Sequence, residues 1–106
     1  MGISSLGGYY MNFQTISVSE LWKMVRRNDV YLIDLRDRND YRHFHVDGAK
    51  NLPYDEMEKW KNMLPKNKKL VLYCEHGSTS MLAAKKLIRM GYQVYTLVGG
   101  INALNE

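Results

Sequence analysis

Two short runs, Val30-Tyr31-Leu32-Ile33 and Leu70-Val71-Leu72-Tyr73, constrain this chain more than any other feature. Each is continuously apolar and rich in β-formers, which predicts a strand covered on both faces rather than one with a wet side. Strands of that kind belong in a mainly parallel sheet, and a parallel sheet needs a helical crossover between its strands.

The intervening segments supply helices. Ser17-Val18-Ser19-Glu20 has the form of a capping box, with Ser17 as N-cap and Glu20 three residues on. Val18, Leu21, Met24 and Val25 follow at helical spacing, and Asn28-Asp29 ends that helix in a turn. Asn39 or Asp40 is placed to cap a short helix through Tyr41 to Phe44. Residues 55–63 read as helical, with Met57, Trp60 and Met63 or Leu64 on one side. Ser80 to Met90 carries Ala83, Ala84, Leu87 and Ile88 on its packing face, and Gly91 is a suitable C-terminal stop. Phe13 to Ile16, Ala49 to Leu52 and Gln93 to Val98 bring the strand count to five, and the tail after Gly99-Gly100 has helical character. Strand and helix alternate throughout, so the expected class is α/β, with a mainly parallel sheet and helices on both faces.

At 106 residues the chain is sized for one compact domain, and 45% apolar with 25% charged residues is an ordinary globular balance. Gly2, Gly7 and Gly8 with Ser4 and Ser5 mark residues 1–11 as a loose leader, leaving 12–106 as the domain. Met1-Gly2 resembles a myristoylation start, but Leu6 stands where that signal needs Ser or Thr. No apolar run approaches about 20 residues, and no basic-then-apolar leader is present, so the expected location is the cytoplasm, with no membrane partner. The net charge of +4 comes largely from Lys59, Lys61, Lys66, Lys68 and Lys69. Without interleaved aromatics or a binding motif these lysines read as a solvated face, not a nucleic-acid surface, and at most they steer small anions weakly.

The chain holds one cysteine, so no intrachain disulfide supports the fold and the thiol is either a core filler or a reactive group. Its position favours reactivity. Cys74 ends an expected parallel strand, where open α/β sheets build their sites, and a short loop leads from it to a helix N-terminus. Backbone N–H groups and the positive end of a helix then face the sulfur and favour the thiolate. Gly77 lets the loop curl tightly. Ser78, Thr79 and Ser80 add hydroxyl donors.

Cys74-Glu75-His76-Gly77-Ser78-Thr79-Ser80 resembles the active-site loop of the rhodanese family. Ile33-Asp34-Leu35-Arg36, then His45-Val46-Asp47-Gly48-Ala49 and Asn51-Leu52-Pro53, are similar to its N-terminal signature, and Gly91-Tyr92-Gln93-Val94 with Gly99-Gly100 resemble its closing strand and glycine pair. The likeness runs from about Phe13 to Leu104. It implies a three-layer fold around a five-stranded parallel sheet, and a sulfurtransferase that works by double displacement. Cys74 takes a sulfane sulfur from a donor (thiosulfate, polysulfide or persulfide), holds it as a persulfide, and yields it to cyanide or a thiol. No metal or organic cofactor is implied, and the resemblance is compatible with a sulfur-relay protein as partner. Glu75, His76, Gly77, Ser78, Thr79, Ser80 and Arg36 are the expected substrate-binding residues. The alternative within the resemblance is a non-catalytic binding or sulfide-sensing module.

Several departures have physical content. The loop has no Lys or Arg, and Glu75 places a negative charge beside the sulfur that opposes a dianionic donor. Phe44 stands where the family signature usually has glycine and Leu104 where it often has tryptophan, both read as packing differences. A cysteine phosphatase requires an arginine six residues after its cysteine, and Ser80 holds that position. A cysteine protease requires a well-placed histidine base, and His76 lies only two residues away on a tight loop, better suited to a loop hydrogen bond. His43 and His45 do not converge on a metal at a spacing of two. Asp34 and Arg36 stand near the expected mouth, with a salt bridge or loop-fixing hydrogen bond as the plainer role for Arg36. Tyr9, Tyr10 and Trp22 read as packing aromatics.

Overall fold

The two apolar runs are the centre of a five-stranded sheet. In the computed structural model, which describes residues 12–105, the strands are β1 (Gln14–Ile16), β2 (Val30–Asp34), β3 (Lys50–Asn51), β4 (Lys69–Tyr73) and β5 (Gln93–Leu97). They pair in the order β1-β5-β4-β2-β3, every pair parallel. The leader assigned to residues 1–11, with Tyr9 and Tyr10, lies outside the described residues.

Strand alternation divides the core in two. Ile33, Leu70, Leu72 and Val94 face one way, against Met57, Trp60 and Leu64 and the Ala83, Ala84, Leu87 and Ile88 face of α4 (Ser78–Arg89). Leu32, Val71, Tyr73, Tyr95 and Leu97 face the other way, against Leu21 and Met24 of α1 (Val18–Met24), Val46, Ala49 and Ile101. The central strands are therefore apolar on both sides because helices cover both sides. The three-layer α/β expectation holds.

Local signals account for most boundaries. Ser17 Oγ accepts the Glu20 N–H and the Glu20 carboxylate accepts the Ser17 N–H, so the capping box is complete. The end of α4 is a Schellman turn: the Gly91 and Tyr92 N–H groups donate to Ile88 and Leu87 carbonyls, with Gly91 at φ 92°.

Some expectations shift. The short helix, α2 (Arg38–His43), is capped by Asp37, whose side chain accepts the Asp40 N–H, rather than by Asn39 or Asp40. Residues 54–63 do not form one helix. A single α-turn, α3 (Met57–Trp60), is flanked by 3₁₀ turns at Tyr54–Glu56 and Lys61–Met63. The tighter second turn sends Leu64 into the core and leaves Met63 80% exposed. Phe44 and Trp22 are also exposed rather than packed; Phe44 has an extended backbone at φ −166° that does not require glycine. Leu104, by contrast, packs against the second half of the core. Among the described residues no helix is long and apolar enough to cross a membrane.

Candidate active site

The sheet order fixes where a site can form. Neighbouring strands β2 and β4 run in register, with Asp34 opposite Tyr73. The chain leaves β4 for α4 on one face, and leaves β2 for Tyr41 and Val46 on the other. Connections diverging from adjacent strands open a crevice beyond their carboxyl ends. Leu35 and Arg36 enter it from β2, and Cys74 enters it from β4. An open pocket of about 420 Å³ lies there, bordered by Leu35, Arg36, Asp37 and Asp40 on one side and by Cys74, Glu75 and Thr79 on the other.

Cys74 is 4% exposed, with the core behind it and the pocket in front. Its Sγ accepts the Gly77 N–H at 3.1 Å and the Ser80 N–H at 3.3 Å. Ser80 is the third residue of α4, so its amide is one of the donors that a helix start leaves without an internal partner. Two N–H dipoles and a helix N-terminus thus converge on one sulfur, an arrangement that stabilises negative charge there.

The loop keeps this shape because its other side is tied down. The carbonyls of Cys74 and Glu75 accept the N–H groups of Ile101 (2.8 Å) and Asn102 (3.2 Å), from the 3₁₀ segment Gly100–Asn105. These two bonds hold the first half of the loop, and the amides that reach the sulfur come from its second half, Gly77 and Ser80. Two glycines make the approach possible. Gly77 sits at φ 104°, and a Cβ there would meet the Gly99 nitrogen at 3.3 Å; a Cβ on Gly100 would stand 2.6 Å from the Cys74 oxygen and 2.5 Å from that of Glu75. The sequence displays the Gly99-Gly100 pair but not the loop it supports.

The remaining loop residues divide by role. The Ser80 hydroxyl donates to the Gly77 carbonyl at 3.0 Å, so Ser80 meets the sulfur through its amide and the loop through its side chain. Thr79 borders the pocket, whereas Ser78 is exposed. His76 is exposed and its Nδ1 pairs with the Asn102 side-chain amide at 2.8 Å.

Arg36 belongs to the site as well as to the scaffold. Its side chain is only 8% exposed, bonded to the fully buried Asp34 carboxylate at 2.9 Å, and its Nη1 lies 3.8 Å from Glu75 Oε1. It also donates to the Phe44 carbonyl. Tyr73 completes this cluster: its hydroxyl accepts the Val46 N–H at 3.0 Å, and the Arg36 guanidinium stands 5.9 Å from its ring centre. Burial, with the Asp34 carboxylate adding to it, raises the Tyr73 phenol above its ordinary range, so it stays neutral. Asp37 and Asp40 line the pocket without having stood out as site residues in the sequence, where Asp40 read only as a candidate helix cap. His43 and His45 each turn Nδ1 to a backbone carbonyl one turn back, and His45 stacks on Tyr41 with ring centres 3.7 Å apart.

Fold and site together define a parallel α/β protein with a cysteine loop at the switch point of its sheet. The rhodanese-like domain family model matches residues 17–106. A protein of Shewanella oneidensis named thiosulfate sulfurtransferase GlpE is 34% identical over 96 residues, covering 90% of this chain and 95% of its own length. Its namesake from Coxiella burnetii is 32% identical over 91 residues, 85% of each chain. Among solved structures, reduced CoADR-RHD of Bacillus anthracis superimposes with a TM-score of 0.80 at 30% identity, over 86% of this chain and 16% of that one. The chain belongs to the rhodanese-like domain family, and its relatives' name agrees with the expected sulfurtransferase class.

Proposed function

We propose that this protein transfers sulfane sulfur by double displacement through Cys74. The Cys74 thiolate attacks the outer sulfur of a donor, the donor's S–S bond breaks, and the remainder leaves with that electron pair. From thiosulfate the products are a Cys74 persulfide anion and sulfite. An acceptor then attacks the outer sulfur of the persulfide. Cyanide leaves as thiocyanate, a thiol leaves as a persulfide, and the thiolate is restored. Splitting one transfer into two displacements is the usual benefit of a covalent intermediate.

One observation carries this reading: Cys74 Sγ, at the edge of an open pocket, accepts two backbone N–H groups at the start of a helix. Those donors stabilise the attacking thiolate and can follow the negative charge outward by one sulfur as the persulfide forms. Gly77 and Gly100 hold the loop in place, Ser80 supplies an amide, and Glu75, Thr79 and Arg36 form the walls that meet donor and acceptor. His76 anchors the loop through Asn102. The reaction draws on no group beyond these residues and the two substrates.

The test is steady-state kinetics with donor and acceptor varied together. Thiocyanate formation should give parallel double-reciprocal lines, as a substituted-enzyme mechanism requires, and Cys74→Ser should abolish it. Intersecting lines, or turnover surviving in Cys74→Ser, would rule the mechanism out. A protein that accepts sulfur from no donor would be a binding module.

A further inference from the structure

Three carboxylates face the Cys74 pocket: Asp37 and Asp40 from the start of α2, and Glu75 from the loop. Among the described residues one cation lines it, Arg36, whose guanidinium is bound to the buried Asp34 carboxylate and lies 3.8 Å from Glu75. Asp37 is fixed by accepting the Asp40 N–H at 2.9 Å, and among the described residues neither Asp37 nor Asp40 has an ion-pair partner. Acids therefore outnumber bases at the mouth before the thiolate is counted.

The chain as a whole is +4, so the excess positive charge lies elsewhere. Lys66, Lys68 and Lys69 border one surface pocket, and Lys23, Arg27 and Lys69 border a second. Lys69 opens β4 and Cys74 follows its last residue, which puts these ends of the sheet roughly 17 Å apart. The net charge thus does not by itself steer anions to the sulfur, whose pocket is lined by more acidic than basic side chains.

We infer that Asp37, Asp40 and Glu75 determine specificity, turning the Cys74 site away from dianionic donors and towards persulfides that carry an ammonium or guanidinium group beside the reacting sulfur. This inference rests on the sulfur-transfer reading above and names its substrate class. In the step, the Cys74 thiolate attacks the outer sulfur of R–S–SH and a bond forms between Sγ and that sulfur. The bond between the donor's two sulfurs breaks and RS⁻ leaves with its electron pair. The new persulfide's proton passes to RS⁻ or to water. Sulfur moves in the zero oxidation state, so no oxidant or reductant is consumed. The positive charge on R is what the acids recognise. Across about 7 Å of water, one carboxylate changes the encounter of a monocation by about threefold and that of a dianion by about sevenfold, in opposite directions.

The test measures the rate of Cys74 persulfide formation by quenched intact mass. The donors are thiosulfate, glutathione persulfide, cysteamine persulfide and an arginine-flanked cysteine persulfide peptide. The proteins are wild type, Asp37→Asn, Asp40→Asn, Glu75→Gln and the triple variant. Asparagine at position 37 keeps the helix cap while removing its charge. The expected result is that both cationic donors load at least about tenfold faster than thiosulfate. Each neutralisation should shrink that ratio by up to about twentyfold at low salt, and raising the salt should shrink it in wild type. A merely structural role would slow all donors alike and leave the ratio in place. A peptide faster than cysteamine persulfide identifies a polypeptide carrier, and parity identifies a small one; both support the inference. Thiosulfate matching the cationic donors, or a ratio unmoved by neutralisation, overturns it while leaving sulfur transfer intact. If no donor loads Cys74, both readings fall.

Discussion

The residues around Cys74 act through backbone more than side chain, and this decides what substitutions do there. A Cβ at Gly100 would collide with the Cys74 and Glu75 carbonyls in a backbone already at φ 66°. Gly100→Ala should therefore cost on the order of 2–3 kcal/mol in stability and lower sulfur transfer by about a hundredfold or more, as the loop shifts away from its amide geometry. Urea unfolding and thiocyanate formation measured on the same sample check this. Tyr73→Phe removes the acceptor of the Val46 N–H and should cost about 1–3 kcal/mol. It should also change the alkaline behaviour. The buried phenol ionises above its unfolded value of 10.0, so its contribution is full below that pH and is lost as pH rises beyond it. Urea midpoints from pH 8 to 11 should fall more steeply for wild type than for Tyr73→Phe.

The elements were legible to the extent that their signals are local. Ser17 and Glu20 announce α1, Gly91 announces the end of α4, and the runs 30–33 and 70–73 announce the central strands. Ser17→Ala should cost about 1 kcal/mol by thermal unfolding, because it removes the side chain that accepts the Glu20 N–H and opens the capping box. The segment after Pro53 was misread because its form depends on contacts beyond its own periodicity. Trp60 donates to the Pro53 carbonyl and Tyr92 donates to Lys61, so segment 54–63 is shaped by what it covers and breaks into short turns. The site was legible in part for the same reason. Cys74, Gly77 and the helix start are adjacent in sequence, whereas the support from Gly99-Gly100 and the acids of α2 arrive through strand order, which periodicity does not encode.

At the scale of the molecule, one strand connects stability to chemistry. Leu70 and Leu72 of β4 are fully buried in the same core that α4 covers, and Cys74 stands at the end of that strand. Leu72→Ala should cost about 2–5 kcal/mol, lowering the melting temperature by roughly 10 °C or more. The central claim is that the amide-ringed sulfur at the end of β4 holds a transferable sulfur atom. Intact mass after incubation with a persulfide donor tests it most directly. The expected result is a gain of one sulfur atom that cyanide removes and that Cys74→Ser never shows; an unchanged mass with every donor, or an equal gain in Cys74→Ser, would contradict it.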